Sequence, residues 1–392
     1  MDPGVIPALA DGAGKALLAE AERAYGHEDA LALASRLRRR HDPALVAAAM
    51  TQARLRARAT EKLAPDDAGR MLFTDAGLQQ ATRRVVAEHR ATRLAGALAP
   101  GAHVLDLGCG IGGDLVALAR AGLRVTGVES DPVTVAIARH NVAALGLRDV
   151  VRVVLGDATS VDRAAADAVF CDPARRSPSG RQLDPRRWSP PWEFVAELLR
   201  GEGVVKVAPG IDHQLVPDGV EAEWVSDRGE LVEAALWSGR LAGVPRRATL
   251  LPAGDTLTTA DDPGPGSGRG VAAVLHEPDD AVIRAGLVTA VAAIVGGWLP
   301  DPRIAYVTSP EPVRTPFARS YAVLEQLPYD PVRLRAWVRA GGVGRLTVKK
   351  RGVGVEPDAL RRALRPRGTA EATLVVTRVA DRAVVLAVEP LR

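Results

Sequence analysis

At 392 residues the chain is longer than one ordinary hydrophobic core, and three domains are expected. With 47% hydrophobic and 25% charged residues it has the composition of a globular protein that packs without disulfides or a membrane, and only Cys109 and Cys171 occur, which argues against a disulfide framework and excludes a four-cysteine zinc site. The formal charge of +4 is uneven: residues 341–392 carry eleven Lys or Arg against five Asp or Glu, a net of +6, and the preceding 340 residues sum to −2.

The first residues, MDPGVIPALADG, lack a basic stretch followed by a long apolar one, so no secretory signal is expected. A reducing, cytoplasmic setting fits the two cysteines. From Gly14 to Leu63 the chain is rich in Ala, Leu and Arg and reads as several amphipathic helices. Asp42-Pro43 fits a helix start, with the aspartate capping and proline in the first turn. Arg38, Arg39, Arg40, Arg54, Arg56 and Arg58 there admit two readings, a nucleic-acid contact or a solvated helix face.

From Ala102 the pattern changes to short apolar runs: AHVLDLG, LRVTGVES, VVRVVLGD, DAVFCDP and GVVKVAP. The stretches between them are long enough for crossover helices, which predicts a parallel sheet covered on both faces. AEWVSDRGE and LVEAALWSG come next with almost nothing between them and read as an antiparallel pair closing the sheet edge. ADDPGPGSGRG, residues 260–270, reads as a loop, and the uncharged run Ala285 to Leu299 is shorter than the ~20 residues of a membrane helix and reads as a buried helix. No membrane partner is expected. RLTVKK, PDALRRAL, ATLVVTRV and AVVLAVE then read as strand, helix, strand, strand, a small α/β module.

The most specific feature is Val104-Leu105-Asp106-Leu107-Gly108-Cys109-Gly110-Ile111-Gly112-Gly113-Asp114, an apolar strand that ends in a glycine-rich turn opening a helix. Such glycines let backbone approach a ligand, and the helix start exposes free N–H groups. Glu129 ends the next strand, 23 residues after Asp106, where a carboxylate can accept both hydroxyls of a ribose. Asp157 ends the third strand, placed to meet an adenine amino group. Three acids at three successive strand ends would be costly around a pyrophosphate but suit S-adenosylmethionine, which carries a positive sulfonium and no phosphate.

Val104 to Gly112, Glu129, Asp157 and Asp172-Pro173 resemble the successive motifs of class I S-adenosylmethionine-dependent methyltransferases. Five parallel strands and a hairpin also match the strand order of that family. The resemblance implies that Asp106, Gly108 and Gly110 surround the methionine and sulfonium part of the cofactor, Glu129 the ribose, and Asp157 with Ala158 the adenine. Phe170-Cys171-Asp172-Pro173-Ala174-Arg175-Arg176 falls where enzymes that methylate nitrogens carry Asp-Pro-Pro-Tyr or Asn-Pro-Pro-Tyr. Asp172 and Pro173 are thereby candidates for the reacting loop, and Arg175 stands where the usual tyrosine would stack on a base. Neither cysteine is placed as the nucleophile of a 5-methylpyrimidine enzyme. Ser189-Pro190-Pro191-Trp192 succeeds no strand and reads as a loop entering a helix.

Residues Leu346 to Val379 resemble the THUMP-like domain found behind bacterial methyltransferase domains, and Phe73 to Thr82 extends the likeness over most of the chain. The expected organisation is an α/β protein: a helical segment over 1–69, a Rossmann-like class I methyltransferase sheet over 70–240, and a C-terminal region over 241–392 with the THUMP-like domain from about 320. Lys349, Lys350, Arg351, Arg361, Arg362, Arg365 and Arg367 are candidates for a phosphate-facing patch, with tRNA or rRNA as partner. The histidines show no metal spacing, and no metal is expected. The functions in view are an RNA N-methyltransferase, a methyltransferase of small molecules or proteins, and a silent protein that binds S-adenosylmethionine and RNA.

Overall fold

The computed structural model describes residues 5–174, 176–177, 180–181, 188–264 and 270–391, the side chains of 176–177 and 180–181 apart. They fall into two compact units, residues 1–220 with 235–243 and residues 221–234 with 244–392.

The first unit begins with helices α1 (Val5–Ala10), α2 (Gly12–Ala24), α3 (Ala30–Arg38), α4 (Pro43–Ala59), α5 (Pro65–Arg70), α6 (Asp75–Gln80) and α7 (Arg84–Ala97). α4 starts as the sequence predicts: Asp42 accepts hydrogen bonds from the backbone N–H groups of Ala44 and Leu45 at 2.9 and 3.0 Å, with Pro43 in the first turn. Of the arginines with two readings, Arg54 and Arg58 pair with Asp75 and Arg56 with Glu22. The helices do not form a core of their own. Leu17, Leu37, Val46 and Leu55 share one buried cluster with Ile111, Val116 and Ile137, so apolar burial ties residues 1–69 to the glycine loop and crossover helices of the sheet.

The strands of that sheet are β1 (His103–Leu107), β2 (Arg124–Glu129), β3 (Val151–Leu155) and β4 (Ala168–Cys171), with α8 (Gly113–Arg120) and α9 (Pro132–Ala144) as crossovers. A two-residue pair, β5 (Arg176–Ser177) and β6 (Gly180–Arg181), precedes α10 (Trp192–Leu198) and β7 (Gly203–Val207). The order β7-β4-β1-β2-β3 is parallel throughout. All five predicted runs are strands, and Trp192 opens a helix as expected. The link from β3 to β4 differs, because its twelve residues hold one 3-10 turn in place of a crossover helix.

In the second unit β8 (Glu221–Asp227) leads through Arg228 and Gly229, both at positive φ (54° and 79°), into β9 (Glu230–Ser238), whose residues from Ala235 belong to the first unit. Two positive φ values suit a two-residue hairpin turn. The pair does not close the sheet as expected, for β10 (Arg246–Leu251) lies parallel to β8 and β11 (Asp255–Thr258) antiparallel to β10. The buried acids of β8 require those neighbours: Glu221 accepts from Arg247 at 2.7 Å and Glu223 from Thr249 at 2.6 Å. Of the predicted loop 260–270, residues 265–269 lie outside the described residues.

β12 (Val274–Pro278) precedes α11 (Asp280–Ala285) and α12 (Val288–Ile294). The single buried helix expected over 285–299 is thus broken, because Gly286 takes φ +68° and caps α11. β13 (Val307–Ser309), β14 (Ala318–Pro328), α13 (Pro331–Ala340), β15 (Val343–Lys350), α14 (Pro357–Leu364), β16 (Ala370–Val379) and β17 (Arg382–Pro390) complete a six-stranded sheet of order β13-β12-β14-β17-β16-β15. Leu334, Val338, Leu360 and Leu364 of α13 and α14 pack on Leu346, Leu374, Val376 and Val385. Only β15 and β16 run parallel in it, with α14 as their crossover.

Candidate functional site

The loop after β1 turns through Gly108, Gly110 and Gly112, all at positive φ (84°, 53° and 91°). A Cβ on Gly108 would stand 3.3 Å from the carbonyl oxygen of Asp172, whereas one on Gly110 would meet nothing within 4 Å. Backbone from β1 and β4 therefore meets at Gly108, and at Gly110 the loop faces open space. Glu129, half-buried at the end of β2, accepts from the N–H groups of Gly110, Ser130 and Asp131 at 3.1, 2.8 and 3.0 Å. Its carboxylate is thus fixed against the loop. Exposed Asp157 caps the turn that begins at Ala158 and accepts from the Thr159 N–H and hydroxyl, both at 2.8 Å; these bonds lower its pKa.

Asp106 is fully buried, and both of its carboxylate oxygens are without a partner. Burial pushes its pKa well above the usual carboxylate range, and the nearby charges of Asp114 and Asp172 push the same way against Arg90. A buried carboxyl with neither oxygen bonded calls for a partner.

Asp172, the expected acid of the reacting loop, is half-buried and comes directly after β4. Its Oδ2 accepts from Lys206 Nζ at 2.7 Å, and the same ammonium donates to Thr82 Oγ1 at 2.9 Å. The Lys206 side chain is 8% exposed. Thr82 donates to Asp114 at 2.9 Å, and Asp114 pairs with buried Arg90. Lys206, Thr82, Asp114 and Arg90 were not among the candidates from sequence. The available signal was a lysine inside the apolar run GVVKVAP, since a buried ammonium needs an acid beside it. Pro173 is buried next to Asp172, whereas Arg175 lies outside the described residues.

The segment Phe73 to Thr82 reaches this site through polar clamps. Gln52 bonds both the N–H and the carbonyl of Phe73, at 2.9 and 2.7 Å. Asn141 does the same for Leu72 and also donates to the carbonyl of Ile111 in the glycine loop at 2.9 Å. A Cβ at Gly77 would lie 2.5 Å from Ile111 Cγ2, so α6 rests directly on that loop.

The methyltransferase-domain family matches residues 104–177, a THUMP domain-like family matches 318–390, and a domain of unknown function matches 2–59. An uncharacterized S-adenosylmethionine-dependent methyltransferase of Mycobacterium tuberculosis, recorded in strains CDC 1551 / Oshkosh and H37Rv, is 41% identical over 321 residues, 79% of this chain and 85% of the relative. The chain belongs to the S-adenosylmethionine-dependent methyltransferases. A crystal structure from Porphyromonas gingivalis W83, described as a methyltransferase, shares the fold with a TM-score of 0.76 over 96% of this chain and 99% of that one at 22% identity. The 23S rRNA (uracil(1939)-C(5))-methyltransferase of Acidithiobacillus ferrooxidans is 40% identical over 138 residues, 29% of this chain and 31% of that protein.

S-adenosylmethionine is the cofactor of this methyltransferase family, and the site suits it. The unpartnered oxygens of Asp106 can accept from its cationic groups, the open face at Gly110 leaves room for the chain, and Glu129 keeps lone pairs for hydroxyls. Among the described residues no cluster of three His, Cys, Asp or Glu could hold a metal ion, and no helix is long and apolar enough to cross a membrane.

The seven C-terminal candidates divide between two places. Lys349 pairs with Glu277 and lies 5.2 Å from the Tyr321 ring centre; Lys350 pairs with Glu356 at 2.9 Å; and Arg351 stands 3.8 Å from Asp280 and over Tyr306. Arg361, paired with Asp358 at 3.0 Å, lines a separate groove with Arg362, Arg365 and Arg367.

Proposed function

We propose that this methyltransferase N-methylates a nucleotide in RNA, with tRNA and rRNA as the candidate substrates and the cytoplasm as its place. The observation that carries the chemistry is Asp172, held through Oδ2 by buried Lys206 beside the glycine loop, with Oδ1 left without a partner among the described residues. Bound S-adenosylmethionine supplies an electrophilic methyl group. Asp106, Gly108 and Gly110 would hold its methionine end, Glu129 its ribose, and Asp157 with Ala158 its adenine. Asp172 Oδ1 would accept an N–H of the target nitrogen and turn its lone pair toward the methyl group, with Pro173 stiffening the turn. Lys206 would keep that carboxylate from turning away.

Nitrogen is favoured over carbon because Cys109 and Cys171 are 7% and 0% exposed and burial pushes both thiols up, away from the thiolate that a carbon adduct needs. RNA is favoured by the THUMP domain-like match and by the partial likeness to an rRNA methyltransferase. The test is tritium transfer from labelled S-adenosylmethionine to RNA, protein and small-molecule fractions of cells lacking the protein. Label in RNA alone supports the reading; label in protein or small molecules overturns the substrate, and label nowhere favours a silent binding protein.

A further inference from the structure

We infer that the C-terminal module grips folded RNA by its phosphates in a groove formed by Arg345, Arg361, Arg362, Arg365 and Arg367. This rests on the RNA reading above and confines the contact to one face of the module. The groove has a volume of about 590 Å³, and its remaining lining is Gly344, Leu346 and Pro366. No acid lines it. The guanidinium groups without an acid partner around this opening repel one another, and an anion threading between them relieves that repulsion. Arg345 and Arg361 have only exposed acids as partners, Glu371 and Asp358, and such pairs give way readily to phosphate. Arg362, Arg365 and Arg367 have no side-chain partner among the described residues.

The backbone supports the same reading. Arg365 sits at the C-terminal end of α14 with φ +51°, a position that glycine normally fills. A long charged side chain kept at a left-handed site is strain that the fold does not need. At the groove floor, a Cβ on Gly344 would collide with the carbonyl of Gly368, and one on Gly368 with that of Gly342. Two backbone runs touch there. β15 is the edge strand of its sheet, so its outer side is unpaired.

The chemistry selects the ligand class. Guanidinium forks match phosphate oxygens two at a time, and every cation here is arginine. The lining holds no aromatic ring on which a splayed base could stack, which favours a folded RNA read by shape and phosphate over a single strand.

The test uses the full chain and a fluorescein-labelled RNA hairpin, with binding measured across a salt series and a single-stranded oligouridylate as comparison. Arg362→Ala with Arg367→Ala should flatten the slope of log affinity against log salt by about two, one per lost contact. Lys350→Ala, which lies outside the lining of the groove, should leave it nearly unchanged. Arg365→Gly should weaken hairpin binding while the melting temperature stays level or rises by up to ~3 °C, because glycine relieves the strain. An unchanged slope in the double variant would overturn the groove and leave the RNA reading standing, as would a fall in melting temperature with intact binding in Arg365→Gly. Equal or tighter binding of oligouridylate would overturn the preference for folded RNA. Absence of hairpin binding by the unaltered chain would overturn the RNA reading itself.

Discussion

The cofactor loop and the arginine groove handle charge in opposite ways. In the loop, acids are drawn inward: Asp106 is fully buried with both oxygens unpartnered, and Glu129 is held by three backbone N–H groups. In the groove, cations are pushed outward, with no acid among the lining residues. Each region therefore holds groups without a side-chain partner among the described residues, Asp106 in the one and Arg362, Arg365 and Arg367 in the other. By contrast Lys349, equally basic in sequence, is answered by the half-buried acid Glu277.

The largest effect should come where the loop meets the reacting group. Asp172→Asn keeps the shape and a contact to Lys206 but loses the charged acceptor, so methyl transfer should fall by ~10²-fold or more with cofactor affinity nearly intact. Single-turnover transfer and calorimetry on the same preparation check this. A large loss of cofactor binding would move Asp172 into the cofactor pocket.

On the proposed ribose assignment, Glu129→Ala should weaken S-adenosylmethionine binding by ~1–3 kcal/mol, since the hydroxyls would lose a charged acceptor. Unchanged affinity by titration calorimetry would refute the ribose assignment. Asp106→Asn sharpens the contrast further, because its two effects should have opposite signs. The raised pKa of Asp106 means that its stabilising contribution is complete below about pH 4 and is lost as pH rises through the folded-state value. Removing the acid should therefore raise the cofactor-free melting temperature at neutral pH by ~2 °C while cofactor affinity falls about tenfold. A melting temperature that drops instead would mark Asp106 as a structural acid.

The smallest effect lies in the C-terminal module and runs the other way with pH. His276 is fully buried between the hydroxyls of Ser320 and Ser309, at 2.9 and 2.8 Å, and burial lowers its pKa. Its contribution is present above pH ~6.5 and lost as pH falls through the folded-state value, because protonation leaves two donors where one bond needs an acceptor. The melting temperature should decline by a few degrees between about pH 7 and 5, and His276→Gln should flatten that decline. A decline of the same size in the variant would assign the pH response elsewhere.

The loop was readable from sequence because its parts are local. Asp106, Gly108 and Gly110 lie within one strand and turn, and Glu129 and Asp157 mark the ends of the next two strands. The partners of Asp172 were not readable, since Lys206 is 34 residues from it and 124 from Thr82, and only the sheet order β7-β4-β1 brings β7 beside β4. The groove was only half visible: sequence counts cations but does not show that Glu277, 72 residues before Lys349, neutralises one of them. Gly286 was a comparable loss, a single left-handed residue that turns one apolar run into two helices.

The central claim is that the acid-rich loop holds the methyl donor and Asp172 directs it to an RNA nitrogen. Its most direct measurement is transfer of tritium from labelled S-adenosylmethionine to RNA from cells lacking the protein, with nucleoside analysis of the labelled RNA. Label should enter a single N-methylated nucleoside with the unaltered chain and no nucleoside with Asp172→Asn. Label on a pyrimidine C5, or equal labelling by both proteins, would contradict it.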